Sequence, residues 1–125
     1  MNTIVLNINN IARQYLYFEL SFWQYHDTNL IIAGSEDFSY FHQLEITFYE
    51  VFAIICNSNF KIDTTKDFIF EINDEKEQYE LNIKYRVIQG NKIFKLISED
   101  NELFYIIAKD ISFTNEVVKY VSTPR

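Results

Sequence analysis

Gly34–Cys56, GSEDFSYFHQLEITFYEVFAIIC, is the stretch on which the fold turns. It holds one of the two glycines, one of the two histidines, the single cysteine and the longest apolar run. From His42 to Phe48 the side chains alternate: Leu44, Ile46 and Phe48 fall on one face, and Gln43, Glu45 and Thr47 on the other. A period of two is the mark of a half-buried strand. Glu50 then stands where the next core residue is due, and Val51–Cys56 is apolar on both faces. A strand changes its buried face only at a bulge, a turn or a break. The pattern therefore predicts a discontinuity at Tyr49-Glu50, followed by a strand covered on both sides. Upstream, Gly34-Ser35-Glu36-Asp37 reads as a turn, because glycine tolerates positive φ and Ser and Asp bond their own backbone.

Working outward, Leu16, Phe18, Leu20 and Phe22 alternate with Tyr17, Glu19, Ser21 and Trp23, which predicts a strand over about 15–25. Ile11, Tyr15, Phe18 and Phe22 also fit helical spacing, with Asn10 as a cap, so a helix over 11–25 is the alternative. Thr3–Ile8 reads as a first strand. His26–Asn29 reads as a hairpin loop leading into a strand at Leu30–Ala33. Lys61–Lys66 reads as a loop, Phe68–Asn73 as a strand and Asn73–Gln78 as a solvated turn.

The last third predicts a β-meander. Tyr79, Leu81, Ile83, Tyr85 and Val87 alternate with polar residues, and Gly90-Asn91 offers a two-residue turn of type II′. That turn sets Val87 opposite Phe94 and Tyr85 opposite Leu96. It also sets Arg86 opposite Lys95, an unfavourable like-charge pair. A second turn at Asp100-Asn101, with Glu99 facing Glu102, sets Leu96 opposite Tyr105 and Phe94 opposite Ile107. The remaining face would carry Ile88, Ile93, Ile97, Phe104 and Ile106, too apolar for open water. A second sheet, the N-terminal segment or a second copy of the chain must cover it. Ile111–Phe113 and Val117–Val121 would close the fold as a short strand or helical turn, with Pro124-Arg125 frayed.

The 125 residues fit one domain, 1–125, which can bury roughly two-thirds of its unfolded surface. Ile, Val, Phe, Tyr and Trp number 46 against 13 for Ala, Leu and Met, a balance that favours pleated surfaces. The fold class expected is all-β, an antiparallel sandwich or open barrel with a C-terminal meander. The alternative is α+β, with residues 11–25 helical.

Composition and charge narrow the function classes. The net charge of −7 disfavours nucleic-acid backbones and anionic membranes as partners. Two distant glycines exclude a P-loop or dinucleotide fingerprint. One cysteine and two histidines exclude a Cys-rich zinc site and an intrachain disulfide. No cofactor, metal or catalytic residue is assigned. No stretch approaches the ~20 apolar residues of a membrane helix, no secretory leader is visible, and a cytoplasmic home is expected.

Three constellations merit weighing. His26-Asp27 and Glu36-Asp37 with His42 and Glu45 would supply acid–base or metal ligands if they converge. Ser35, Ser39 or Cys56 would need a histidine base to act as a nucleophile. Tyr15, Tyr17, Trp23, Tyr25, Phe38, Tyr40 and Phe41 form an aromatic group suited to a partner surface or a pocket. The binding residues selected are Trp23, Tyr25, Glu36, Asp37, Tyr40, His42 and Glu45. Small size, acidity, the expected cytoplasmic setting and the lack of a catalytic motif suit a non-enzymatic protein-binding module of the bacterial immunity-protein type, which masks a partner protein. The alternative is a small-molecule-binding β-barrel with an enclosed aromatic pocket. A homodimer through the second apolar sheet face is a further expectation.

Overall fold

The computed structural model describes residues 2–120. The decisive stretch behaves as its alternation requires. Leu44–Tyr49 (β4) buries Leu44, Ile46 and Phe48 completely and turns Glu45 and Thr47 the other way. Tyr49-Glu50 is a corner, with Glu50 left-handed at φ 49°. There the chain leaves one sheet and enters another as Ala53–Ile55 (β5). The same corner is turned in reverse near the end of the chain, where Leu103–Ala108 (β9) passes through Lys109 into Asp110–Thr114 (β10). β4 pairs with β10 and β5 with β9, so one bent ribbon spans both sheets. The Lys109 N–H donates to the Tyr49 carbonyl at 3.0 Å, and the Phe52 N–H to the Ile107 carbonyl at 2.7 Å, stitching the corner.

The remaining strands complete the two sheets. Phe18–His26 (β1), Asn29–Ser35 (β2) and Asn59–Ile62 (β6) join β4 and β10 in the order β10-β4-β2-β1-β6. Ile69–Glu71 (β7) and Lys92–Ile97 (β8) join β5 and β9 in the order β5-β9-β8-β7. All pairings are antiparallel. The sheets face one another across a single core, with Phe48 against Phe94 at 5.5 Å and Phe60 against Phe104 at 4.9 Å between ring centres. The molecule is a predominantly β antiparallel sandwich, and neither sheet closes into a barrel. A small ribbon of Phe41–His42 (β3) and Val118–Lys119 (β11) is appended to it.

Two helices depart from the sequence reading. Thr3–Ala12 (α1) replaces the expected first strand. Asn2 caps it, its side chain accepting from the N–H groups of Ile4 and Val5, and Asn10, the expected cap of a helix over 11–25, lies inside it. Val5, Ile8, Ile11 and Ala12 recur at spacings of three and four and are buried. The alternative helix over 11–25 is not formed: α1 ends at Ala12, and β1 takes up the segment from Phe18. Buried Asn9 fixes α1 to the rim of the four-stranded sheet. It donates to the Ile69 carbonyl at 2.9 Å and accepts from the N–H groups of Phe68 and Ile69.

Glu75–Tyr85 (α2) replaces both the expected turn at Asn73–Gln78 and the expected strand at Tyr79–Val87. Asp74 caps it by accepting from the Glu77 N–H at 3.0 Å, and Arg86 ends it in the left-handed conformation at φ 53°. The pairings drawn for Val87, Tyr85 and Arg86 therefore do not exist. β8 pairs instead with β7, Ile69 opposite Leu96 and Glu71 opposite Phe94. Lys95 lies beside Glu77 at 3.2 Å, not beside Arg86. Gly90, at φ 98°, sits in the turn from Ile88 to Asn91, which leads out of the helix rather than between two strands.

The β8–β9 hairpin exists but is shifted by one residue. Ser98 faces Glu102, and Asn101 at φ 63° makes a three-residue loop in place of the expected two. Leu96 thus lies opposite Phe104 and Phe94 opposite Ile106. A one-residue slip exchanges faces. Phe104 and Ile106 join the main core, while Ile93 and Ile107 take the other side with Ile72 and Leu81. What covers that second apolar face is α2, so the chain itself supplies the layer that a homodimer there was invoked to provide.

Two smaller readings of the central stretch also change. Gly34 lies inside β2, and the turn falls later, over Glu36–Tyr40. β5 is an edge strand covered on one side only, with Ile54 and Phe52 exposed. The His26–Asn29 hairpin stands as expected, with Asp27 and Thr28 both at positive φ, the signature of a type I′ turn. Val117–Val121 is strand-like at Val118–Lys119. Residue 121 and the expected frayed end, Pro124-Arg125, lie outside the described residues.

Candidate functional site

The site is built on the outer face of the five-stranded sheet. Phe22 pairs with Ile32 in β2, and Gln24 pairs with Ile31, leaving Trp23 without a partner of its own. A bulge of this kind puts two residues opposite one and re-aims a side chain. Trp23 therefore leaves the sheet on the outer side, the face that also carries Glu45, which is in register with Ala33 of β2. The β3–β11 ribbon lies across this face. It brings His42 against Trp23 edge-on, at 4.6 Å between ring centres, and stacks Tyr120 on Trp23 at 5.5 Å with the planes 10° apart.

Hydrogen bonds tie the group together. His42 is fully buried. Its Nε2 lies 2.7 Å from Glu45 Oε2, and its Nδ1 lies 2.6 Å from the Tyr120 hydroxyl. With the Glu45 carboxylate as acceptor, Nε2 is the nitrogen that donates, and the tautomer that does so leaves Nδ1 to accept from the Tyr120 hydroxyl. Burial, and secondly the negative charge of Glu45, push the Tyr120 hydroxyl above its ordinary pKa. The phenol thus stays protonated, as the bond requires. The Tyr120 N–H donates to the Tyr40 carbonyl at 2.9 Å, anchoring the ribbon a second time.

The structure unites three of the seven selected residues, Trp23, His42 and Glu45, and places Tyr40 next to them through its backbone. Tyr40 is 68% exposed. Tyr25 is separated from Trp23, because the bulge shifts it into register with core-facing Leu30. Glu36 and Asp37 serve the turn. The Glu36 N–H donates to Gln43 at 3.4 Å, and the Asp37 carboxylate accepts from the Ser39 N–H at 3.0 Å. The residue that sequence reasoning missed is Tyr120. It follows a two-residue strand, so no periodic pattern singled it out.

His26 stands at the hairpin end of β1, exposed and 3.2 Å from Asp27, whereas His42 follows the opposite end of β2. The two histidine clusters are thus held apart. Among the described residues, no cluster of three or more His, Cys, Asp and Glu is placed to hold a metal ion. The Ser35 hydroxyl is committed to the backbone, donating to the Phe41 carbonyl at 2.7 Å and accepting from the Asp37 N–H at 2.9 Å. Burial pushes the Cys56 thiol up to about 12. Neither side chain is presented as an activated nucleophile.

Open clefts lie elsewhere. One of about 190 Å³ runs between α1 and β7, past Leu6, Asn9 and Glu71. Another, of about 350 Å³, lies at the sheet corner by Glu50 and Ile88. Neither is lined by the aromatic group singled out above. Among the described residues, no helix is long and apolar enough to cross a membrane. No family model, curated protein or solved structure matches this chain.

Proposed function

We propose that this chain is a non-enzymatic protein-binding module that masks a partner protein, in the manner of a bacterial immunity protein acting in the cytoplasm. The docking surface is the outer face of the five-stranded sheet around Trp23, with Tyr40 and Glu45. One observation carries the reading: Trp23 remains 47% exposed although its ring is stacked on Tyr120 and meets His42, whose own ring is hydrogen-bonded to Glu45 and Tyr120. Tryptophan and tyrosine dominate the energetics of protein interfaces when their geometry is fixed beforehand. The net charge of −7 adds a long-range field that speeds encounter with a basic partner.

The test is affinity capture from the organism of origin with the tagged full chain, followed by mass spectrometry of retained proteins and small molecules. A specific protein should be retained, and Trp23→Ala should reduce its recovery at least tenfold, about the loss of one central anchor. Retention of the same protein by Trp23→Ala and Tyr40→Ala alike would exclude this surface. A retained small ligand with no protein partner would exclude the function.

A further inference from the structure

We infer that the exposed side of Trp23 receives a cationic side chain, an arginine or lysine of a basic partner, with the Glu45 carboxylate supplying the countercharge. The inference rests on the docking reading above and names the chemistry of its central contact. One face of the indole is taken by Tyr120, nearly parallel to it, and one edge meets His42. The residue is nonetheless 47% exposed. The face of an indole is the most favourable aromatic surface for a cation.

The surroundings carry the matching sign. Glu45 is hydrogen-bonded to the ring nitrogen of His42, yet its side chain is 24% exposed. Its charge is felt at Tyr120, where it helps raise the hydroxyl pKa. Glu19, on the same outer face and accepting from the Tyr17 hydroxyl at 3.1 Å, is in register with Lys61 of β6, which offsets its charge, so Glu45 carries the sign at Trp23. The ribbon's own cation, Lys119, is in register with Phe41, the alternate position to His42 and Val118, and so leaves on the other side. A guanidinium or ammonium laid on Trp23 would meet a fixed π-face and an acid together, with little left to reorganise.

Trp23 is the only tryptophan in the chain, so its emission reports this contact without a label. The full chain is titrated with the peptide Gly-Arg-Gly-Arg-Gly-Arg and with the matched Gly-Glu peptide. A fluorescein-tagged arginine peptide is followed in parallel by anisotropy against Trp23→Ala, Trp23→Phe, Glu45→Gln and, on the far layer, Glu80→Gln. Circular dichroism checks that each variant is folded. The arginine peptide should shift Trp23 emission saturably, and the glutamate peptide should not. Affinity should fall about fivefold for Trp23→Ala and less for Trp23→Phe. It should fall roughly threefold for Glu45→Gln and stay within about twofold for Glu80→Gln.

Unchanged Trp23 emission would overturn the inference. So would equal weakening by Glu45→Gln and Glu80→Gln, which marks diffuse attraction to an acidic surface. If a partner is captured through Trp23 while the arginine peptide leaves emission unmoved, the docking reading survives and this inference fails. If the peptide response is intact but capture is independent of Trp23, the docking reading fails instead.

Discussion

Position 34 has room for a hydrogen atom and nothing larger. A Cβ there would stand 2.5 Å from Phe18 Cε2 and 2.9 Å from its Cζ, and Phe18 is fully buried and stacked on Tyr15. The ring cannot yield cheaply, so Gly34→Ala should destabilise by about 1–3 kcal/mol, read as a lower urea midpoint with unchanged slope. In the sequence this glycine looks like a turn residue, because the need for positive φ and the need for space leave the same letter. Cys56 makes a second prediction. Burial holds its thiol near 12, above the unfolded value of about 8.5, so the folded form favours the proton. This contribution to stability is complete below about pH 8.5 and is lost as pH climbs toward 12. At pH 8, alkylation of the native thiol should run roughly a thousandfold slower than in urea, a ratio a stopped-time iodoacetamide assay reads directly. The pair His42 and Glu45 was legible because the two stand three apart at the start of a clear strand. Its third member was not, since Tyr120 is 78 positions away and only the folded ribbon brings it near.

At the scale of elements, α2 shows how far alternation alone can be trusted. Tyr79, Leu81, Ile83 and Tyr85 alternate as a strand would, yet the segment is a helix that buries Leu81 and leaves Tyr79 and Ile83 outside. The competing signal was present in Asp74-Glu75-Lys76-Glu77: a capping aspartate, acids in the first turn, and Lys84 near the end. The two readings differ in a measurable way. On a strand, Leu81 and Ile83 share a face and truncating either should cost alike. On this helix, Leu81→Ala should cost about 2–4 kcal/mol, and Ile83→Ala should stay within about 0.5 kcal/mol, both by urea unfolding. Similar costs for the two would contradict the helix. β4 was legible because both of its requirements agree, a period of two and one face fully buried. The β8–β9 register was not, because its loop admits two or three residues. The choice rests on whether Asn101 takes the left-handed conformation, which composition alone leaves open.

At the scale of the molecule, the layers run from the β3–β11 ribbon through the two sheets to α2, so the proposed docking face and the helical layer point in opposite directions. The acidic field belongs to the whole surface and acts before contact. Association with a basic partner should therefore slow about tenfold or more between roughly 0.05 and 0.5 M salt, while dissociation changes little, as surface plasmon resonance would record. A salt-insensitive on-rate would argue for a partner recognised by shape alone. The carboxamide of Asn9 has a wider consequence. At Ile69 it supplies both the acceptor and the donor that an incoming strand would otherwise bring to the rim of the four-stranded sheet. A naked ribbon edge is a template on which neighbouring molecules zip together into fibrous stacks. With that slot filled from within, one buried amide guards a concentrated solution of this chain against polymerising there.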